Sequence, residues 1–407
     1  MPRKQRVFYF LQLPHRLGQL VAEVWFLRNM FDDDDYEFVV ITPPLDERVN
    51  KACYDFVTRD LTVVQKPPNE VQWSTTDGIR QVDRDIYVYQ GAFDFSLDFF
   101  KRFHHEKPGF YFSFSEQDRR RSIRLREMFN IPHDARIVTL HNRESGYLPG
   151  AKYHDYRNAS IRNYLSAVQY LMDRGFYVVR IGDKTMEPLP AMGDRVIDMP
   201  FHPLYSHFVE LHFIEQSKFL LSVPSGPCSV SMTLNVPTLI VNMPVHARCY
   251  LNDHDLCLPK RYYSHHLERY LTYGEIICSP VVDYYRTEEY ERFGVELHEN
   301  SADEILQTVK EMDARIDATY SAGEQVDQIN RRVKRIQRRG DCFRRHYCEE
   351  FPFFSPYHLR AQISNEFIGM NPWFVEDRNW EPAEQMTSEL DAGKRECAGP
   401  TIECAAI

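Results

Sequence analysis

Hydrophobic positions along this chain recur at two spacings, one that suits strands and one that suits helices. Short apolar runs predict strands over residues 7–13, 38–42, 61–65 and 85–89. Between and after them, helix-spaced residues such as Leu20, Val21, Val24 and Leu27 predict helices over 17–30, 46–59 and 115–128. A second alternation starts near Ile131. It predicts strands over 136–140, 177–181, 219–223, 238–242 and 296–298, and helices over 161–174, 207–217, 228–234 and 302–316. Gly175 suits a left-handed helix end. Ser301 followed by Glu304 forms a capping box. Strands that alternate with helices build parallel sheets, so the class is α/β.

Two alternations imply two Rossmann-like domains, residues 1–130 and 131–320. Residues 321–376 read as C-terminal helices packing back on the first domain, with an arginine-rich helix over 324–346. The stretch 377–407 has no periodicity and reads as a disordered tail.

Composition narrows the classes. The 407 residues carry a net charge of −10, which argues against a nucleic-acid partner. No apolar run approaches the roughly 20 residues that span a bilayer. Residues 7–13 are too short and too polar for a signal segment, so the expected location is cytoplasmic, with peripheral association at the inner face of the membrane as a variant. Nine scattered cysteines without a CxxC pair fit free thiols in a reducing compartment.

In open parallel sheets, ligands gather at the carboxyl ends of strands. Four such ends are unusual. The first runs from Leu13 to Leu20, where His15, Arg16, Gly18 and Gln19 lie between a strand and a helix start. A cation there opposes the helix dipole, which hints at an anionic ligand. Glu23 follows one turn later. The second is His141-Asn142-Arg143-Glu144, with Tyr147, Lys152, His154 and Arg157 in the same loop. A planar guanidinium can grip phosphate oxygens in pairs, and a carboxylate beside it can orient it or act as a base. The third is Arg180-Ile181-Gly182-Asp183, a sharp turn beside a carboxylate suited to ribose hydroxyls or to holding Arg180. The fourth is Ser225-Gly226-Pro227 ahead of a short helix, an N-terminus suited to an anion. Each also fits ordinary turn or capping chemistry. Together they fit a diphosphate lying across a crevice. Neither a P-loop nor a GxGxxG turn is present, which disfavours nucleotide hydrolases and dinucleotide enzymes. The acidic run Asp32 to Asp35 can be read as a metal site or as an acidic loop, and its place between a helix and a strand favours the loop.

The set His141-Asn142-Arg143-Glu144 with Gly146-Tyr147, then Arg157-Asn158-Ala159, then Val179-Arg180-Ile181-Gly182-Asp183 with Met186, Pro188, Leu189 and Pro190, then Ser225-Gly226, Asn242 and Asn300 to Ile305, resembles a family of glycosyltransferases predicted from bacterial genomes. Arg16 to Leu20 resembles that family's early R-I-G-H-L element, with Gln19 in place of histidine. The likeness spans residues 6–316. It implies a GT-B fold: two facing Rossmann-like domains with parallel sheets and a cleft between them. It also implies a nucleotide-sugar donor on the second domain and a carbohydrate or glycoconjugate acceptor on the first. More remotely, Arg143 is similar to the diphosphate-contacting arginine of GT-B fucosyltransferases. Ser225 and Gly226 are similar to the diphosphate turn of heptosyltransferases.

The expected function is therefore glycosyl transfer in bacterial surface polysaccharide or glycoconjugate synthesis, with no metal and no cofactor. Arg143, Glu144, His15 and Glu23 are the catalytic candidates. His141, Arg143, Arg180, Gly182, Asp183, Ser225, Gly226 and Pro227 would contact the donor. Arg16, Gly18, Gln19 and Tyr147 would line the acceptor side. The alternatives are a non-catalytic nucleotide-sugar or glycan-binding module, and a GT-B-like nucleotide-sugar epimerase.

Overall fold

A computed structural model describes residues 4–70, 78–103, 106–147, 150, 152–246, 251–321, 323–350 and 359–376. The stretch 377–407, read as a tail, lies outside the described residues.

The first unit contains β1 (Gln5–Phe10), α1 (Leu17–Met30), β2 (Tyr36–Thr42), α2 (Lys51–Thr58), β3 (Thr62–Gln65), the hairpin β4 (Ile79–Val82) and β5 (Asp85–Val88), α3 (Ala92–Arg102) and α4 (Glu116–Met128). Its sheet order is β3-β2-β1-β5-β4. All pairs are parallel except the β4–β5 hairpin, which closes one edge.

The second unit opens with β6 (Ile137–His141), α5 (Leu165–Asp173), β7 (Tyr177–Arg180), β8 (Val196–Asp198), α6 (His207–Gln216) and β9 (Phe219–Ser222). It continues with α7 (Gly226–Thr233), β10 (Thr238–Met243), β11 (Leu256–Pro259), β12 (Arg261–Ser264), β13 (Arg269–Tyr270), α8 (Tyr273–Ile277), α9 (Thr287–Arg292), β14 (Val295–His298) and α10 (Ala302–Ile316). After these come α11 (Glu324–Glu350), β15 (Gln362–Ile363) and α12 (Asn365–Met370). Seven strands form a parallel sheet in the order β15-β11-β10-β9-β6-β7-β8. Every residue of β6, β9, β10 and β11 is buried, as expected where helices cover both faces. β14 differs from its expected place. It pairs antiparallel with β12 in a small side sheet.

The architecture is thus two Rossmann-like units, as the alternation predicted. They share one apolar body: the core around Tyr9, Leu20, Val24 and Phe95 continues into Val209, Phe213, Val230 and Met232 of the second unit. The connecting strand of chain is stitched across, with Trp25 Nε1 donating to Phe110 O (2.6 Å) and Phe112 N to Thr233 O (2.9 Å). Two glycines set the closest approach. A Cβ on Gly18 would lie 3.3 Å from Ser229 Oγ and 3.4 Å from Gly226 Cα; one on Gly226 would lie 3.1 Å from Leu17 Cβ.

The arginine-rich α11 lies against α8. Val333 and Ile336 are buried, Gly340 faces Ile277, and buried Arg344 pairs with Asp283. Further on, Arg360 reaches the first unit, donating to Glu106 O (2.6 Å).

Asn242 and Asn300 bind each other's backbones in the core of the second unit. Asn242 N donates to Asn300 Oδ1 (2.6 Å), Asn300 N donates to Asn242 Oδ1 (2.7 Å), and Asn300 Nδ2 donates to Pro259 O (2.8 Å). The pair holds the end of β10, where Asn242 sits at φ +51°, to the start of α10. Asn300→Ala leaves two buried groups unpaired, Asn242 N–H and Pro259 C=O, at roughly 1–3 kcal/mol each. Urea unfolding should show a loss of about 3 kcal/mol.

Candidate functional site

The carboxyl end of β6 faces the start of α1, and polar groups from both units meet there. His141 is buried and its Nδ1 is 3.0 Å from Ser225 Oγ. Burial, Arg180 and Arg143 hold its imidazole down to about 3, so it is neutral. Ser225 is the N-cap of α7, but its hydroxyl donates to Val223 O (3.1 Å) and caps no helix amide. Arg16 is the N-cap of α1 and likewise gives no side-chain cap. Neither helix has an acidic residue in its first turn. Two helix starts thus abut with their positive ends uncompensated by side chains.

Arg143 is buried just beyond His141. Its Nη1 donates to His154 O (3.2 Å) and to Asn158 Oδ1. Asn158 is fixed in turn by Asp155, which accepts from Nδ2 at 2.8 Å, and by Lys260, whose Nζ donates to Asn158 O (2.9 Å). Lys260 is buried after β11, and burial lowers its ammonium to about 8.

His154 reports the field in this corner. Its imidazole is pushed down to about 3 by burial, then by Arg157, Arg143 and Arg16. Arg16 belongs to the first unit, so cations from both units converge on one neutral ring. His154 Nδ1, Arg157 Nε, Asn142 Oδ1 and Gln19 Oε1 are all buried without a hydrogen-bond partner among the described residues. Native proteins leave few such atoms, and each is a polar group that a ligand or water can complete.

Other predicted residues are held in ways that the sequence did not indicate. Glu144 does not reach Arg143. Its Oε1 accepts from Asn142 (2.7 Å) and from Arg180 Nη2 (3.3 Å), and its Oε2 accepts from Glu187 N (2.7 Å). Arg180 is fully buried and also donates to Glu187 O (2.6 Å) and Asp198 (3.3 Å). Together these groups latch the loop after β6 to the loop after β7. Gly182 sits at φ +143°, and its N–H is taken by Glu210 Oε1 (2.9 Å). Burial raises that carboxyl to about 8. Asp183 accepts from Thr185 N (2.8 Å) and closes a turn. Gly18 and Gly226 serve the helix contact described above, and Pro227 follows in the first turn of α7.

His15 is half-buried in the loop between β1 and α1. Burial, Arg48 and Arg16 lower its pKa, while Asp46 raises it. Glu23 lies deeper, its Oε2 accepting from Tyr9 OH at 2.6 Å. Burial raises its carboxyl to about 7, and Oε1 has no partner among the described residues. Tyr147 ends a short turn, and its side chain lies outside the described residues. In the acidic run, Asp33 pairs with Arg28 and Asp32 Oδ1 accepts from Asp34 N (2.9 Å). Among the described residues no group of three or more His, Cys, Asp or Glu side chains could hold a metal ion. No helix among them is long and apolar enough to cross a membrane.

Lys260 and Glu210 were missed from the sequence, and Asn158 stood there only as part of the family resemblance. Lys260 had the same signal as Arg143, a charge directly after an apolar run in Leu256-Cys257-Leu258-Pro259, but Pro259 hides the strand.

No family profile and no curated relative matches the sequence. Among solved structures, a glycosyl transferase family 9 protein from Veillonella parvula aligns with 63% of this chain and 86% of its own, at 10% identity and a TM-score of 0.39. The E. coli heptosyltransferase WaaC with ADP aligns with 77% of this chain and 100% of its own, at 11% identity and 0.38. The iron-containing glycosyltransferase TibC from E. coli H10407 aligns with 78% of this chain and 77% of its own, at 9% identity and 0.38. These are distant likenesses, and the chemistry of the site is drawn from its own residues.

Glu23 gives a pH test. A carboxyl raised to about 7 when folded stabilises below the unfolded value near 4.5, and that stability is lost as pH rises through 7. Between pH 4.5 and 7.5 the native protein should lose about 3 kcal/mol relative to Glu23→Gln, measured by urea unfolding at each pH.

Proposed function

We propose that this protein is a glycosyltransferase of GT-B architecture, taking a nucleotide-diphosphate sugar and moving the sugar to a hydroxyl acceptor. The reading is carried by one observation: Arg143 donates to His154 O (3.2 Å), and burial, Arg157, Arg143 and Arg16 of the first unit all lower the His154 imidazole, with the starts of α1 and α7 left without side-chain caps. Such a corner suits a diphosphate. As the bond from the anomeric carbon to the diphosphate oxygen breaks, negative charge grows on the leaving group, and fixed cations lower that barrier. Arg143 is pre-set by Asn158, so little reorganisation is needed.

Among the three proton-acceptor candidates, the geometry favours His15. Glu144 is engaged by three donors, and Glu23 is buried against Tyr9. His15 stands at the loop next to Arg16, with its pKa lowered, and is neutral at pH 7. It would take the proton of the attacking hydroxyl.

The test is a melting-temperature panel with nucleoside diphosphates and sugar nucleotides. A ligand at 100 times its Kd should stabilise by about 2.7 kcal/mol. Arg157→Ala should keep the ligand-free melting temperature and lose the response. Arg143→Ala should lose the response as well. With donor and acceptor in hand, His15→Gln should lower kcat by roughly 10²–10⁴-fold. Absence of any response at millimolar ligand, or an unchanged response in both arginine variants, contradicts the proposal.

A further inference from the structure

The long helix α11, packed on α8 and α12 of the second unit, presents a second charged surface. Between Gln328 and Gly340 it holds Arg331, Arg332, Lys334, Arg335, Arg338 and Arg339, with no acidic residue. All six are exposed. At 100° per residue they fill a sector of roughly 160°. The opposite side carries Val333, Ile336 and Gly340, fixed on α8 through Ile277, and Gln337 Nε2 donates to Tyr273 OH (3.2 Å). The helix therefore cannot roll to hide its charges. Arg331, Arg332, Lys334 and Arg338 have no ion-pair partner among the described residues, although the chain as a whole is acidic at −10.

We infer that this face of α11 docks the protein on an anionic lipid surface. A run of four to eight basic residues on one helix face gains about 1 kcal/mol per side chain near acidic headgroups. The exposed positions from 331 to 339 are all Arg or Lys, with no apolar or aromatic side chain among them. That composition offers no wedge for a hydrocarbon interior and no ring on which nucleic-acid bases would stack. It fits a flat, charged, salt-reversible contact. The acidic remainder of the molecule would be repelled by the same surface, which fixes the orientation with α11 down. This inference does not depend on the transferase reading.

The test is co-sedimentation of the full chain with phosphatidylcholine vesicles, with and without phosphatidylglycerol. Binding should need phosphatidylglycerol and disappear at 0.5 M salt. The variant R331E/K334E/R338E should bind at least 100-fold more weakly, from about five-fold for each charge removed. The control R119E/R120E/R124E, on exposed positions of α4, makes the same change in net charge and should bind like the native chain. Melting temperatures of all three proteins check folding, and the salt response of the native chain stands whatever the variants do. Binding that ignores phosphatidylglycerol, equal loss in both triple variants, or preferential capture by duplex DNA over the vesicles would overturn the inference.

Discussion

Leu17 and Gly18 rest directly on Gly226 and Ser229, and the placement of Arg16 against the cations of the second unit follows from that contact. With no side chain on Gly18 or Gly226, the starts of α1 and α7 come within van der Waals reach. Apolar residues of both units then close into one body around them. A larger residue at either glycine would push the helices apart and carry Arg16 away from His154. Overpacking of that kind typically costs about 1–3 kcal/mol. It would also separate the positive helix ends that face the site.

The second unit supplies a rigid counterpart. Arg143 is held by Asn158, which is held by Asp155 and Lys260. The loops beside it are latched by Glu144, Arg180, Asp198 and Glu187. Buried ion pairs of this type contribute little net stability, because desolvation offsets attraction. What they provide is a fixed geometry, and a diphosphate site benefits from donors that need not rearrange.

Much of this was legible in the sequence. The limits of α1 and α10 follow from helical spacing, and in α10 from the Ser301–Glu304 capping box. Arg143 and Arg16 stood out as charges where apolar runs end. Other parts were not legible, for physical reasons. β4 is exposed at every position, so it has no apolar alternation to detect. β11 ends in proline, and β12 and β13 are short pieces of an antiparallel side sheet. Partner choice was the hardest to read. Glu144 lies next to Arg143 in sequence yet binds Arg180, because the turn through Gly146 packs on Thr185 and carries the carboxylate to the neighbouring loop.

The central claim is that cations from both units converge on His154. The direct measurement is an NMR pH titration of its imidazole, assigned by comparison with His154→Gln. Burial together with the three arginines predicts a neutral ring down to about pH 4, a titration that moves up in Arg157→Ala, where burial persists and one cation is gone, and a resonance that shifts when a nucleoside diphosphate is added. A ring that titrates near 6.5 and ignores the nucleotide would contradict the account.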